Sequence, residues 1–178
     1  EAAAAAFLGD AWGRPEVHAE GGTWGTEAQV AAIFGPPAGP DCTAGRVRVP
    51  WTRVTAWDQS APVSVIGCHI TLEASLGRVL EHVADTYRPA EIRALGLHLY
   101  GGCYNPRRKR GGASWSMHAY GVALDFDPLR NRLRWGSDQA RLAQADAAGF
   151  WAAFEAEGGT SLGRVADFDW MHVQAPAL

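Results

Sequence analysis

The segment Ser116-Met117-His118-Ala119-Tyr120-Gly121-Val122-Ala123-Leu124-Asp125, read beside Asp169-Trp170-Met171-His172, carries most of the information in this 178-residue chain. His118 and Asp125 lie seven positions apart, which on one continuous strand turns their side chains to opposite faces. Gly121 between them points instead to a turn bearing His118 and a following strand bearing Asp125, so that both can face one ion. His172 offers a third ligand, and Asp169, three residues earlier, a second carboxylate. Two histidines and a carboxylate leave a fourth coordination position open for water, and a nearby carboxylate can serve as its base. This is the smallest kit for hydrolysis assisted by zinc. Asp127 is a rival ligand, although Pro128 beside it suggests that the strand is already ending there.

Around the motif, helix and strand patterns mix. Residues 122–126 read as a strand, as do 46–49, 63–70, 97–100 and 171–174. The clearest helix carries Leu72, Leu76, Val79, Leu80, Val83 and Tyr87 on one stripe, with Thr71 as N-cap and Pro89 as stop. Residues 26–34, with Val30, Ile33 and Phe34 on one side, and residues 92–95, 138–147 and 150–157 read as further helical segments. Helices and strands do not alternate regularly. The expected class is therefore α+β, a small mixed or antiparallel sheet with flanking helices. Eight tryptophans and 21 glycines also favour a loop-rich α+β domain over a helical bundle. Turn signals at Gly21-Gly22 and in Gly35-Pro36-Pro37-Ala38-Gly39-Pro40 mark residues 1–45 as an N-terminal arm packed on a single globular unit, residues 46–178.

Composition narrows the function classes. A net charge of −3 gives no global basic field for nucleic acid. No apolar run approaches the ~18 residues that span a bilayer. The first residues, Glu1 to Leu8, lack the positive start of a signal peptide, and localisation is not readable from them. Cys42, Cys68 and Cys103 form no chelating pair; one disulfide with one free thiol, or three buried thiols, are equally open. Four cations, Arg107, Arg108, Lys109 and Arg110, precede the Ser116 motif by six to nine residues. They read either as a solvated loop or as a clamp for a substrate carboxylate or developing oxyanion. His18, His69, His82 and His98 read as bystanders.

The chain resembles the zinc D-alanyl-D-alanine carboxypeptidase and L-alanyl-D-glutamate endopeptidase family, which includes vancomycin-resistance dipeptidases and carboxypeptidases and many phage endolysins. The family pattern S-x-H-x-x-G-x-A-x-D is met by Ser116, His118, Gly121, Ala123 and Asp125, and E/D-x-x-H by Asp169 and His172. The resemblance spans roughly residues 65–175. It implies a hedgehog/DD-peptidase-like fold, one zinc ion on His118, Asp125 and His172, Asp169 as catalytic base, and Ser116 assisting by hydrogen bonding. Arg107 best matches the family arginine that contacts substrate or the tetrahedral intermediate, with Arg110 in reserve. Trp115, Tyr120 and Trp170 are candidates for aromatic walls, or equally for core. The activity implied is hydrolysis of an amide bond in the peptide stem or cross-link of peptidoglycan, by a carboxypeptidase or endopeptidase acting as a monomer at the bacterial envelope or delivered by phage. Aspartate in place of glutamate as the base favours the endolysin-like branch. The alternative from another class is a non-catalytic, zinc-stabilised binding module of the hedgehog-like fold.

Overall fold

A computed structural model describes residues 26–175. The expectations for residues 1–25, His18 and the Gly21-Gly22 turn included, lie outside the described residues. The chain folds as α+β, with small sheets and flanking helices. In order, it forms α1 (Glu27–Phe34), β1 (Gly45–Arg48), β2 (Val54–Thr55), β3 (Val65–Cys68), α2 (Glu73–Thr86), α3 (Pro89–Leu95) and β4 (Leu99–Gly102). Then come β5 (Ala123–Phe126), α4 (Ala148–Ala156), β6 (Thr160–Ser161), α5 (Leu162–Ala166) and β7 (His172–Gln174). β1 and β3 pair antiparallel as a two-stranded sheet. The second sheet has the order β2-β4-β5-β7-β6, parallel between β2 and β4 and antiparallel elsewhere.

The apolar stripe of α2 drives its docking. Leu72, Leu76, Val79, Leu80 and Val83 are all buried, and each stabilises the fold by about 1.5–3 kcal/mol relative to exposure. On β5, Leu124 and Phe126 turn to the core, where Phe126 meets the rings of Phe150 and Phe154 edge-on at 5.0 and 6.0 Å. Period-two alternation then sends Asp125 to the other face. That face carries the site. Among the described residues, no helix is long and apolar enough to cross a membrane.

Several local expectations need correction. The stretch 138–147 is not an α-helix: it forms two 3-10 turns, Arg141–Ala143 and Ala145–Ala147, before α4 begins. Buried Asn131 holds that segment instead, its Oδ1 accepting from Leu142 N at 2.7 Å. Thr71 does not cap α2. A 3-10 turn, Ile70–Leu72, precedes the helix, and His69 caps that turn by accepting from Thr71 N. Ile33, expected on the buried side of α1 with Val30 and Phe34, is 43% exposed, because the eight-residue helix offers too narrow a contact face for all three. Pro89 begins α3 at its first turn, where its missing N–H costs nothing. The short strands β2 and β6 and helix α5 escaped sequence reading because two to five residues carry no periodicity.

Cys42, Cys68 and Cys103 are buried free thiols, the second of the two open readings. Burial pushes the Cys68 thiol up to about 12 and that of Cys103 well above its ordinary value. Neither is a thiolate at neutral pH.

Gly121 ends the 3-10 turn Met117–Tyr120 with φ of 69° and packs directly on the Cys42 carbonyl, leaving no room for a Cβ. Its left-handed backbone alone costs a non-glycine residue about 1–2 kcal/mol. Gly121→Ala is therefore expected to lower the unfolding free energy in urea by more than that amount, since overlap with Cys42 adds to it. An unchanged denaturation midpoint would show the turn to be more plastic than its packing implies.

Candidate metal centre

Three pieces of local structure meet here. Ser116 opens the turn Met117–Tyr120, its Oγ accepting from His118 N at 3.3 Å, and so fixes the direction of the buried His118 side chain. Asp125 comes from β5 and His172 from β7, directly opposite each other in register. Gly101 on β4 lets that strand close over the Asp125 backbone, because a Cβ there would lie 2.7 Å from the Asp125 Cβ. As a result, ligand atoms of His118, Asp125 and His172 all lie within 4.8 Å of one another. His118 Nε2 is 3.3 Å and His172 Nδ1 3.0 Å from the same oxygen, Asp125 Oδ1.

Hydrogen bonding fixes how the rings present themselves. His118 Nδ1–H donates to the Cys103 carbonyl at 2.6 Å, and His172 Nε2–H donates to Gln174 Oε1 at 2.8 Å. Each imidazole thus uses its N–H outward and turns the other nitrogen toward Asp125 Oδ1. In the neutral rings those inward atoms are lone pairs facing a carboxylate, which is repulsive unless protons or a cation intervene. Burial alone would raise Asp125, but the imidazoles of His118 and His172 beside it favour its charged form and hold its carboxyl well below the usual carboxylate range. Burial likewise opposes a charged His172, yet Asp125 raises its pKa above the ordinary histidine value. A divalent cation resolves the conflict without any proton. His118 Nε2, buried and without a hydrogen-bond partner, is the atom such an ion would satisfy. The group can hold a metal ion.

Asp169 is 8% exposed, with φ of 53°, a left-handed conformation that aspartate tolerates better than most residues. Its backbone N–H donates to Leu133 O at 2.9 Å, and its carbonyl accepts from His172 N at 3.0 Å, so Asp169 and His172 are locked in one turn. Its Oδ1 has no hydrogen-bond partner. Burial raises its pKa to about 6; His172, His118 and Arg107 pull it down, and Asp125 pushes it further up. A carboxylate titrating near neutrality can both take and return a proton.

These groups open into a cleft of about 1780 Å³. Arg107 lines it half-buried and Arg110 lines it exposed. Trp115 lines it too, beneath the Arg108 guanidinium at 3.9 Å, and so does Tyr120, whose buried hydroxyl lacks a partner among the described residues. Trp170 is not in the wall. It packs in the core against Gly163 and Trp151, its Nε1 donating to Asp167 Oδ1 at 3.0 Å. Asp127, the rival ligand, is turned away from the cluster and pairs with Arg130 at 2.5 Å. Of the bystander histidines, His69 ties α1 to the domain by donating to the Phe34 carbonyl at 2.9 Å.

Two contributors were missed at sequence level. Gln174 lies two residues beyond His172 on one strand, so alternation alone places it beside the ligand. Glu27 of α1 accepts from Trp115 N at 2.5 Å and pairs with Arg108, tying the arm to the cleft rim. Nothing local in the sequence announces that contact across 88 residues.

No protein-family model, curated protein or solved structure matches the chain.

Two outcomes follow from this geometry. Gln174→Ala releases the outer nitrogen of His172 and is expected to weaken metal binding by about 10- to 100-fold in a chelator competition. Asp169 has a folded pKa above the 3.8 of a free aspartate, so its stabilising contribution is present below pH 3.8 and lost as pH rises through about 6. At neutral pH that gap corresponds to about 3 kcal/mol of destabilisation. Asp169→Asn should raise the stability of chelator-treated protein by up to that amount, and the gain should vanish in acid. A lower melting temperature at pH 7 would contradict the assignment of a strained, unpartnered carboxylate.

Proposed function

We propose that this chain is a zinc metallopeptidase that hydrolyses an amide bond in the peptide stem or cross-link of peptidoglycan. One observation carries the reading: an otherwise unpartnered buried carboxylate, Asp169, with a pKa near 6, opens into the same cleft as the metal-fit group His118, Asp125 and His172. The cleft, about 1780 Å³, has room for a peptide, and the motif resemblance supplies the substrate class.

The two imidazoles and the carboxylate suit zinc by donor type, and zinc would supply Lewis-acid chemistry, acidifying water and polarising the scissile carbonyl. Asp169 takes the proton of the attacking water as its oxygen bonds to the carbonyl carbon. Arg107, on the cleft wall, offsets the negative charge that develops on the carbonyl oxygen. Asp169 then returns the proton to the amine nitrogen as the C–N bond breaks. Ser116, through the His118 backbone N–H, and Gln174, through the His172 ring, hold the two imidazoles in the required orientation.

A zinc-stabilised binding module needs no free base. Keeping Asp169 ionisable and unpaired costs stability, and buried carboxylates perturbed in this way concentrate at sites of proton transfer. The protein would act as a monomer on cell-wall peptides, at the bacterial envelope or carried there by phage.

Asp169→Ala is expected to retain one zinc per chain and lose about 10²- to 10⁴-fold in kcat on purified wall peptides. His172→Ala should lose both metal and hydrolysis. Elemental analysis of the protein reads the zinc and mass spectrometry of the digested peptides reads the cleavage; wild-type cleavage rates in Asp169→Ala would sink the mechanism.

A further inference from the structure

Positive charge is distributed unevenly over this molecule. Away from the cleft, Arg78, Arg88, Arg130, Arg141 and Arg164 each hold a carboxylate partner. Five cations that line the cleft, Arg107, Lys109, Arg110, Arg132 and Arg134, hold none among the described residues. Elsewhere among the described residues only Arg46, Arg48 and Arg93 on the surface and Arg53 in the core share that condition. A chain of net charge −3 thus gathers unpaired cations around the one metal-fit group among its described residues. Glu27, Asp125 and Asp169 also line the cleft, so the five cations leave it with an excess of positive charge, which attracts the opposite charge.

Arg132 and Arg134 stand apart from the basic run because their loop is built into the site. They flank Leu133, whose carbonyl accepts from Asp169 N at 2.9 Å. Buried Asn131 anchors one end, donating from Nδ2 to the Asp127 carbonyl at 2.9 Å. Ser137 N anchors the other, donating to Asp167 Oδ1 at 2.6 Å. Trp135 N closes the turn on Arg132 O at 2.8 Å, and its ring lies 4.9 Å from the Arg132 guanidinium. The two guanidiniums are therefore carried on a loop fixed to the backbone of the base, which lowers the entropy lost when a ligand engages them.

We propose that residues 132–135 form a carboxylate-binding subsite, so that the peptide cut in this cleft carries a free carboxylate outside the scissile bond. The proposal rests on the peptidase reading for the identity of the bound chain. A guanidinium fork matches a planar carboxylate in two parallel hydrogen bonds, and Trp135 offers an apolar face to the neighbouring side chain. Arg107 serves the reacting carbonyl; Arg132 and Arg134 select the substrate.

The test compares two peptides of one sequence, each with a reduced amide at the scissile position, one bearing a free glutamate carboxylate and one amidated there. Binding to the metal-loaded full chain is followed by calorimetry and tryptophan fluorescence. The wild type is expected to bind the free acid about tenfold more tightly, with the preference shrinking at high salt. Arg132→Ala/Arg134→Ala should lose that preference and still bind the amidated peptide as the wild type does. Arg134→Ala alone, at an exposed position, should lose part of it, which keeps the test readable if the double variant folds poorly. Equal affinity of the wild type for both peptides overturns the subsite, as does a preference that survives both variants. Tighter binding of a glycerol-phosphate oligomer than of the acidic peptide also overturns it. Hydrolysis of the unreduced peptides is scored separately: a wild type that prefers the acid and cuts neither peptide contradicts the peptidase reading, not the subsite.

Discussion

The antiparallel pairing of β5 with β7 sets Asp125 opposite His172, and a one-residue slip of either strand would send one of them into the core. Register is held from the core side. Leu124 and Phe126 alternate with Asp125, and Phe126 is gripped by Phe150 and Phe154 of α4. Hydrophobic packing on one face therefore fixes the chemistry on the other. The third ligand reaches the same point only because Gly121 permits a left-handed turn pressed against Cys42, which swings His118 back over the strand.

The site is organised as a conflict that a cation would settle. Two histidines, each committed outward to an acceptor, direct their remaining nitrogens at one carboxylate oxygen. Protonation can relieve this at the cost of charging buried rings; a divalent ion relieves it while leaving the rings neutral. Asp169 adds a second unfavourable feature, a buried oxygen without a partner on a residue of positive φ. Strain of this kind survives where the surrounding structure over-determines it. Here the Leu133 and His172 backbone bonds do so.

The sequence made parts of this legible and hid others for identifiable reasons. The ligand set, the turn at Gly121 and the strand bearing Asp125 could be read because spacing and side-chain alternation are local rules. The α2 stripe was legible for the same reason, since its four buried apolar residues, Leu76, Val79, Leu80 and Val83, repeat at helical spacing. Residues 138–147 were misread as a helix because their composition suits one, while the bond from Leu142 N to Asn131 holds the backbone in 3-10 turns. Trp170 could not be assigned to wall or core from sequence, because that depends on Gly163, which leaves room for its ring. The contact of Glu27 with the cleft rim, and the anchoring of residues 132–135 to Asp169, are long-range and carry no local signature.

X-ray absorption at the zinc edge of the full chain, loaded with one equivalent of zinc, addresses the central claim most directly. Two imidazoles and a carboxylate give a shell of nitrogen and oxygen alone at about 2.0–2.1 Å, with the outer scattering of two histidine rings. The buried thiols of Cys68 and Cys103, with pKa values raised by burial, are expected to contribute nothing. Sulfur scattering near 2.3 Å, or failure to retain zinc after dialysis, would contradict the metal centre and with it the assignment of Asp169.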